Sequence, residues 1–144
     1  MTRQALVAHA TLIQRLSNES CTSAGVGYAG ALLLDFGTAS SADPSGYREP
    51  ELSLVIECPW RLEAEHSVLV GSGDEDDVVE DVIQSLIHCR AKEILIFQPS
   101  FTVRLALGDL VLWIFPDDSR SYEEFSEFPQ SPWYVTGRGI PSGW

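Results

Sequence analysis

The spacing Gly25-x-Gly27-x-x-Gly30 is that of a dinucleotide-binding fingerprint, in which glycines let the backbone approach a pyrophosphate held at a helix N-terminus. That chemistry needs a strand before the glycines and a helix after them. Here helical spacing precedes and strand-like alternation follows, so the glycines read as a flexible strand entry or bulge and no cofactor is expected. The run Asp74-Glu75-Asp76-Asp77 could ligate a cation, but it lacks the alternating acids, central glycine and distant bidentate glutamate of an EF-hand loop. His9, His66 and His88 are far apart and none has the spacing of paired metal ligands. No metal is expected. For nucleophilic catalysis, Ser72 lies between Gly71 and Gly73 without the Gly-x-Ser-x-Gly elbow, and reads as a turn. Cys89 is next to His88, but adjacent residues on a helix diverge, and an acidic chain gives a thiolate little support. No catalytic residue is assigned, and the protein is read as a non-enzyme.

The elements that would position any site follow from periodicity. Leu6, Ala10 and Ile13, with Val7 and Leu16 beside them, place an amphipathic helix over residues 3–16. Residues 26–36 read as a strand, with Leu32, Leu34 and Phe36 alternating, and residues 37–50 are rich in turn formers, hence an exposed loop. Strands are expected over residues 51–58, stopped by Pro59, and 67–70. A second helix starts at the acid run and carries Val79, Val82, Ile83 and Leu86. Its first-turn carboxylates are expected to cap backbone N–H groups and to oppose the helix dipole. Strands over 93–97, 102–107 and 110–115 form an antiparallel meander, and a last strand covers 133–136.

This order repeats itself. Ile13-Gln14-Arg15-Leu16 returns as Ile83-Gln84-Ser85-Leu86, Leu52-x-Leu54-x-Ile56 as Leu110-x-Leu112-x-Ile114, and Pro59-Trp60-Arg61-Leu62 as Pro132-Trp133-Tyr134-Val135. The expected fold is α+β. Two related helix-plus-antiparallel-meander units, over residues 3–73 and 74–144, form one compact domain with pseudo-two-fold symmetry, their strands in one continuous sheet or in two facing sheets. Trp60 and Trp133 would cover the two ends of its core.

A chain of 144 residues with 44% hydrophobic content suits a single core. Its longest apolar stretches are strand-sized, so no membrane span is expected. Three cysteines without Cys-x-x-Cys spacing, and no convincing secretion signal, point to the cytoplasm. Twenty-one acidic against nine Lys and Arg residues give a net charge of −12, which repels nucleic acid and anionic membranes.

Binding residues are then sought where aromatic and acidic side chains coincide. The segment 116–132 carries Asp117, Asp118, Glu123, Glu124 and Glu127 among Tyr122, Phe125 and Phe128, a composition suited to gripping a basic protein partner. Trp113 alternates out of phase with Leu110, Leu112 and Ile114, so its strand is apolar on both faces; either helices cover both sides or one side meets a partner. The sequence Glu57-Cys58-Pro59-Trp60-Arg61-Leu62, the duplicated helix and strands, and the closing Trp133-x-Val135-x-Gly137 resemble small bacterial immunity-type proteins of polymorphic toxin systems. That resemblance covers most of the chain, brings no catalytic residue, and implies an antitoxin-like inhibitor of a basic toxin. The other readings are a carboxylate-based, metal-dependent or small-molecule enzyme and a homodimer joined through the Trp113 face.

Overall fold

A computed structural model describes residues 10–116, 133–138 and 140. Among these residues the fold is mixed α+β and mostly β, with two helices and nine strands in two antiparallel sheets. Helix α1 is seen over residues 10–13 and tightens into a 3-10 turn at Gln14–Leu16; the expected earlier residues lie outside the described part. Strands β1 (Cys21–Val26), β2 (Leu32–Phe36) and β3 (Leu52–Ile56) form a meander, and β9 (Trp133–Gly137) joins its edge in the order β1-β2-β3-β9. The second sheet has the order β5-β4-β8-β7-β6, from β4 (Trp60–Glu63), β5 (Val68–Gly71), β6 (Ala91–Phe97), β7 (Thr102–Leu107) and β8 (Leu110–Ile114).

Two strands change sides. After β3 the chain crosses at Pro59 and β4 pairs with β8, Trp60 opposite Ile114 and Leu62 opposite Leu112. In return β9 pairs with β3, Trp133 opposite Ile56 and Val135 opposite Leu54. The sheets also meet at one corner, where Ser20 and Arg90 form an antiparallel bridge. Beside it Asn18 N–H donates to Ala91 O, and His88 N–H and Cys21 N–H donate to Cys21 O and Cys89 O, each at 2.8 Å. Asn18 and His88 both adopt positive φ there, 69° and 76°. The register shifts between Cys21 and Ser23 in β1 and again between Ala91 and Glu93 in β6, the irregularity of a β-bulge.

Alternation explains the core. Leu32, Leu34 and Phe36 of β2, Val103, Leu105 and Leu107 of β7, and Leu112 and Ile114 of β8 are fully buried with Trp60 and Trp133 in one hydrophobic cluster. That cluster draws on both sheets and takes Ile13, Leu16, Val79, Ile83 and Leu86 from the helices and their 3-10 turns. The two tryptophans thus belong to different sheets of a shared core. Residues 37–50 are irregular, as expected, and Asp43 organises a turn by accepting from the Ser45 hydroxyl and from the Ser45 and Tyr47 N–H groups. Those hydrogen bonds, the Ser45 hydroxyl first, hold its carboxyl below the usual carboxylate range.

Several expectations need correction. A strand at Cys21–Val26 and another at Trp60–Glu63 were not anticipated, and the glycine fingerprint falls partly inside the first. Gly25 is within β1, whereas Gly30 is in a 3-10 turn before β2; the bulge sits earlier, at Cys21. The second helix, α2, runs over Asp76–Ile83; Glu75 makes no side-chain cap, while Asp77 Oδ1 accepts from the Val78 N–H in the first turn at 3.0 Å. Asp74 instead accepts from Gly71 N–H at 2.8 Å, closing the turn out of β5, so its carboxylate is spent before the helix starts. No described helix is long and apolar enough to cross a membrane.

Candidate functional site on the five-stranded sheet

The strands that fill the core with one set of side chains must present the other set on the opposite face. In β8, Leu112 and Ile114 point inward, so Val111 and Trp113 stand outside, with Phe115 following. Inward Val103 and Leu105 of β7 leave Arg104 outside, and inward Trp60 and Leu62 of β4 leave Arg61 and Glu63 there. On β6 the outward residues include Glu93, Leu95 and Phe97, the last 43% exposed. Register then sets them side by side: Arg61, Trp113, Arg104 and Leu95 form one row across four strands.

Aromatic contacts tie this row to the next. The Phe97 and Trp113 rings are stacked with centroids 6.1 Å apart, and Trp113 and Phe115 are 6.0 Å apart and nearly parallel, at 5°. The Arg61 guanidinium lies 5.2 Å from the Phe115 ring centroid and that of Arg104 5.9 Å from the Trp113 ring centroid. Each arginine also has a carboxylate: Arg61 pairs with Glu63, and Arg104 with Glu93 at 3.2 Å. Glu63 accepts in addition from the Trp113 indole N–H at 3.1 Å. At these half-exposed positions an ion pair contributes at most about 1 kcal/mol and a cation–π contact about the same. Their larger effect is to fix rotamers, so a partner that docks here meets side chains already ordered.

Next to this ladder a shallow cavity of about 670 Å³ opens between Trp113, Arg104 and three carboxylates, Glu63, Glu65 and Asp109. The outer face of the other sheet is plainer. Its half-buried outward positions include Asp35 and Ser53, which hydrogen-bond to each other at 2.5 Å, and Tyr134. Helix α2 packs on β1 and β5 rather than over β8. Of the two alternatives for the doubly apolar β8 strand, coverage by helices on both sides is therefore not what the described residues show.

Among the residues proposed for binding from the sequence, the structure places Trp113 at the centre of this face. Asp117, Asp118, Tyr122, Glu123, Glu124, Phe125, Glu127 and Phe128 lie outside the described residues. Arg61, Glu63, Phe97 and Arg104 escaped the sequence reading. The alternation of Thr102–Leu107 was enough to turn Arg104 outward, but only the crossing of β4 brings Arg61 and Glu63 to Trp113. The remaining reactive residues are scattered. His66 is exposed beside Glu65, His88 is exposed at a positive-φ turn, and Cys21, Cys58 and Cys89 form no disulfide. Burial pushes the Cys21 thiol up to about 12. Among the described residues no three His, Cys, Asp or Glu side chains converge as a metal site.

Comparison with protein-family models, with curated proteins and with solved structures found no match for the chain.

Proposed function

We propose that the protein is a non-enzymatic binding domain that uses the outer face of the five-stranded sheet to hold a basic protein partner, in the manner of an immunity-type or antitoxin-like inhibitor. The observation that carries this reading is the Phe97–Trp113–Phe115 ladder with Arg61 and Arg104 laid over it. Tryptophan and arginine dominate the energetics of protein interfaces because they combine large contact area with directed polar groups. Charge selects the partner. With a net charge of −12 and Glu63, Glu65 and Asp109 beside the ladder, the long-range field attracts a basic surface and repels a second copy of the same chain.

The test begins with capture of partners from the native host and purification of the bound protein. It is then titrated against the wild type and the variants Trp113→Ala and Phe115→Ala, with sedimentation of each protein alone. A basic partner whose affinity falls by about 2 kcal/mol in Trp113→Ala is the expected result. An acidic partner, equal affinity of the variants, or a homodimer abolished by them would each overturn the reading.

The two halves are further inferred to be related units that exchange their fourth strands. Support comes from registers that correspond pair by pair, although the sequence offset between equivalents changes with loop length: Ile56 opposite Trp133 and Ile114 opposite Trp60, with the bulges at Cys21 and Ala91. A pseudo-two-fold axis through the Ser20–Arg90 bridge would relate them. An experimental structure in which these registers fail to superpose would refute the relation.

A further inference from the structure

Trp60 and Trp133 each follow a proline and each are buried in the shared core, yet their indole N–H groups differ. Trp133 donates to the Phe101 carbonyl at 3.3 Å. Trp60 is only 4% exposed and its backbone N–H is met by the Ser72 hydroxyl, but among the described residues its indole N–H has no acceptor. A buried indole N–H is costly to leave unpaired, so an acceptor beyond the described residues is called for.

Trp60 lines a cavity that could hold one. The space measures about 490 Å³, within the range of small-molecule sites, and lies between the β1–β2 connection, the crossing from β3 to β4, and the start of α2. Val26, Ile56 and Val79 supply apolar lining, the last two buried. The polar lining is acidic: Glu57 and Asp76 contribute carboxylates, and among the described residues no Lys, Arg or His lines the space. Tyr28, also on the lining, is 97% exposed, an unusual state for an aromatic residue unless something covers it. The turn that presents it is closed by Gly27 N–H donating to Ala31 O at 2.7 Å, and it places Ala29 at φ 59°, a left-handed conformation that a non-glycine residue adopts at a cost.

We propose that this cavity binds a small organic cation. Its apolar body would rest on Val26, Ile56 and Val79, a hydrogen-bond acceptor on that body would meet the Trp60 indole N–H, and its ammonium group would face Glu57 and Asp76 beside the Tyr28 ring. Cation–π attraction and two carboxylates favour the positive end, and the unpaired donor selects a carbonyl or ether near the other. This site is separate from the Trp113 face and stands whether or not that face binds a protein.

Phenylalaninamide, which has an ammonium group, a carboxamide acceptor and an apolar ring, is a suitable probe, with its uncharged N-acetyl form as control. The readout is the indole N–H resonance of each tryptophan in the full-length protein, Trp60 being assigned through Trp60→Phe. At millimolar probe the Trp60 resonance should shift saturably while that of Trp113 stays in place. N-acetylation, or the pair Glu57→Gln and Asp76→Asn, should weaken the apparent affinity about tenfold, with an unchanged melting temperature because both acids are exposed. No saturable shift at Trp60, or equal binding of the neutral probe, would overturn the proposal.

Discussion

Cys21 begins β1 with no exposed surface, and burial strips its thiolate of water. Its ionisation therefore moves from the ordinary 9.0 to about 12, with a smaller downward contribution from a backbone hydrogen bond of Ser23 and a further upward push from Cys89 and Asp35. The unfolded chain sheds this proton above pH 9 while the folded chain keeps it, so stability present in full below pH 9 is lost as pH rises toward 12. The slope reaches about 1.4 kcal/mol per pH unit. Tyr134, raised by burial and then by Glu57, adds in the same direction. Chemical denaturation of wild type and Cys21→Ala across alkaline pH should show a flatter profile for the variant; parallel profiles would mean that the thiol is not the titrating group. Gly137 offers a backbone test. It sits at φ 148°, and a Cβ there would collide with the Glu51 carbonyl oxygen, so Gly137→Ala should cost about 2 kcal/mol or more of stability. A variant as stable as wild type would show that β9 can shift away from β3. The sequence marked Gly137 as the end of the Trp133-x-Val135-x-Gly137 motif but revealed neither residue's role, because thiol burial and a left-handed glycine depend on what the neighbouring strand brings up.

Helix α2 is held to the sheet by polar side chains as well as by its apolar stripe. Glu80 accepts from the Val26 N–H at 2.8 Å, and Gln84 donates to the Ala24 carbonyl at 3.0 Å, so the unpaired edge of β1 is partly satisfied by the helix. Glu80→Ala would leave the Val26 N–H without this acceptor and should lower stability by about 1–3 kcal/mol, seen as faster hydrogen exchange in β1. Exchange unchanged in β1 but faster throughout would indicate a helix defect instead. The long alternating or periodic elements were legible in the sequence: β3, β7 and β8 each lie within a residue or two of their expected positions, and β2 ends at Phe36 as expected but starts at Leu32 rather than Val26. The missed elements share physical reasons. Cys21-Thr22-Ser23-Ala24-Gly25-Val26 is made of small and polar residues, and its bulge breaks the inside–outside alternation, so its strand character comes from pairing with β2. Strand β4 has four residues directly after a proline, and its partner β8 is distant in sequence. The candidate face was hidden for the same reason: Trp113 was visible, but nothing local predicts that β4 delivers Arg61 beside it.

At the scale of the whole molecule, the exchange of β4 and β9 means that neither sheet is assembled from one half of the chain. Both sheets and the helices share a single hydrophobic cluster, so separating them would expose the inner faces of both at once. Unfolding followed by tryptophan fluorescence and by far-ultraviolet circular dichroism should then trace one coincident transition; two resolved steps would assign the sheets to independent units. The same molecule has a net charge of −12, a field that acts on a partner before any contact is made. The Arg61 and Arg104 charges are matched locally by Glu63 and Glu93, leaving Glu65 and Asp109 at the nearby cavity to face the incoming basic surface. Association should therefore slow as salt is raised, by about tenfold or more between low and physiological ionic strength, whereas dissociation, governed by the desolvated aromatic contacts, should change little. Stopped-flow measurement of both rates for wild type and the doubly neutralised Glu65→Gln, Asp109→Asn variant separates the two contributions. An association rate indifferent to salt would remove the electrostatic reason for a basic partner, even if Trp113 proved to be its anchor.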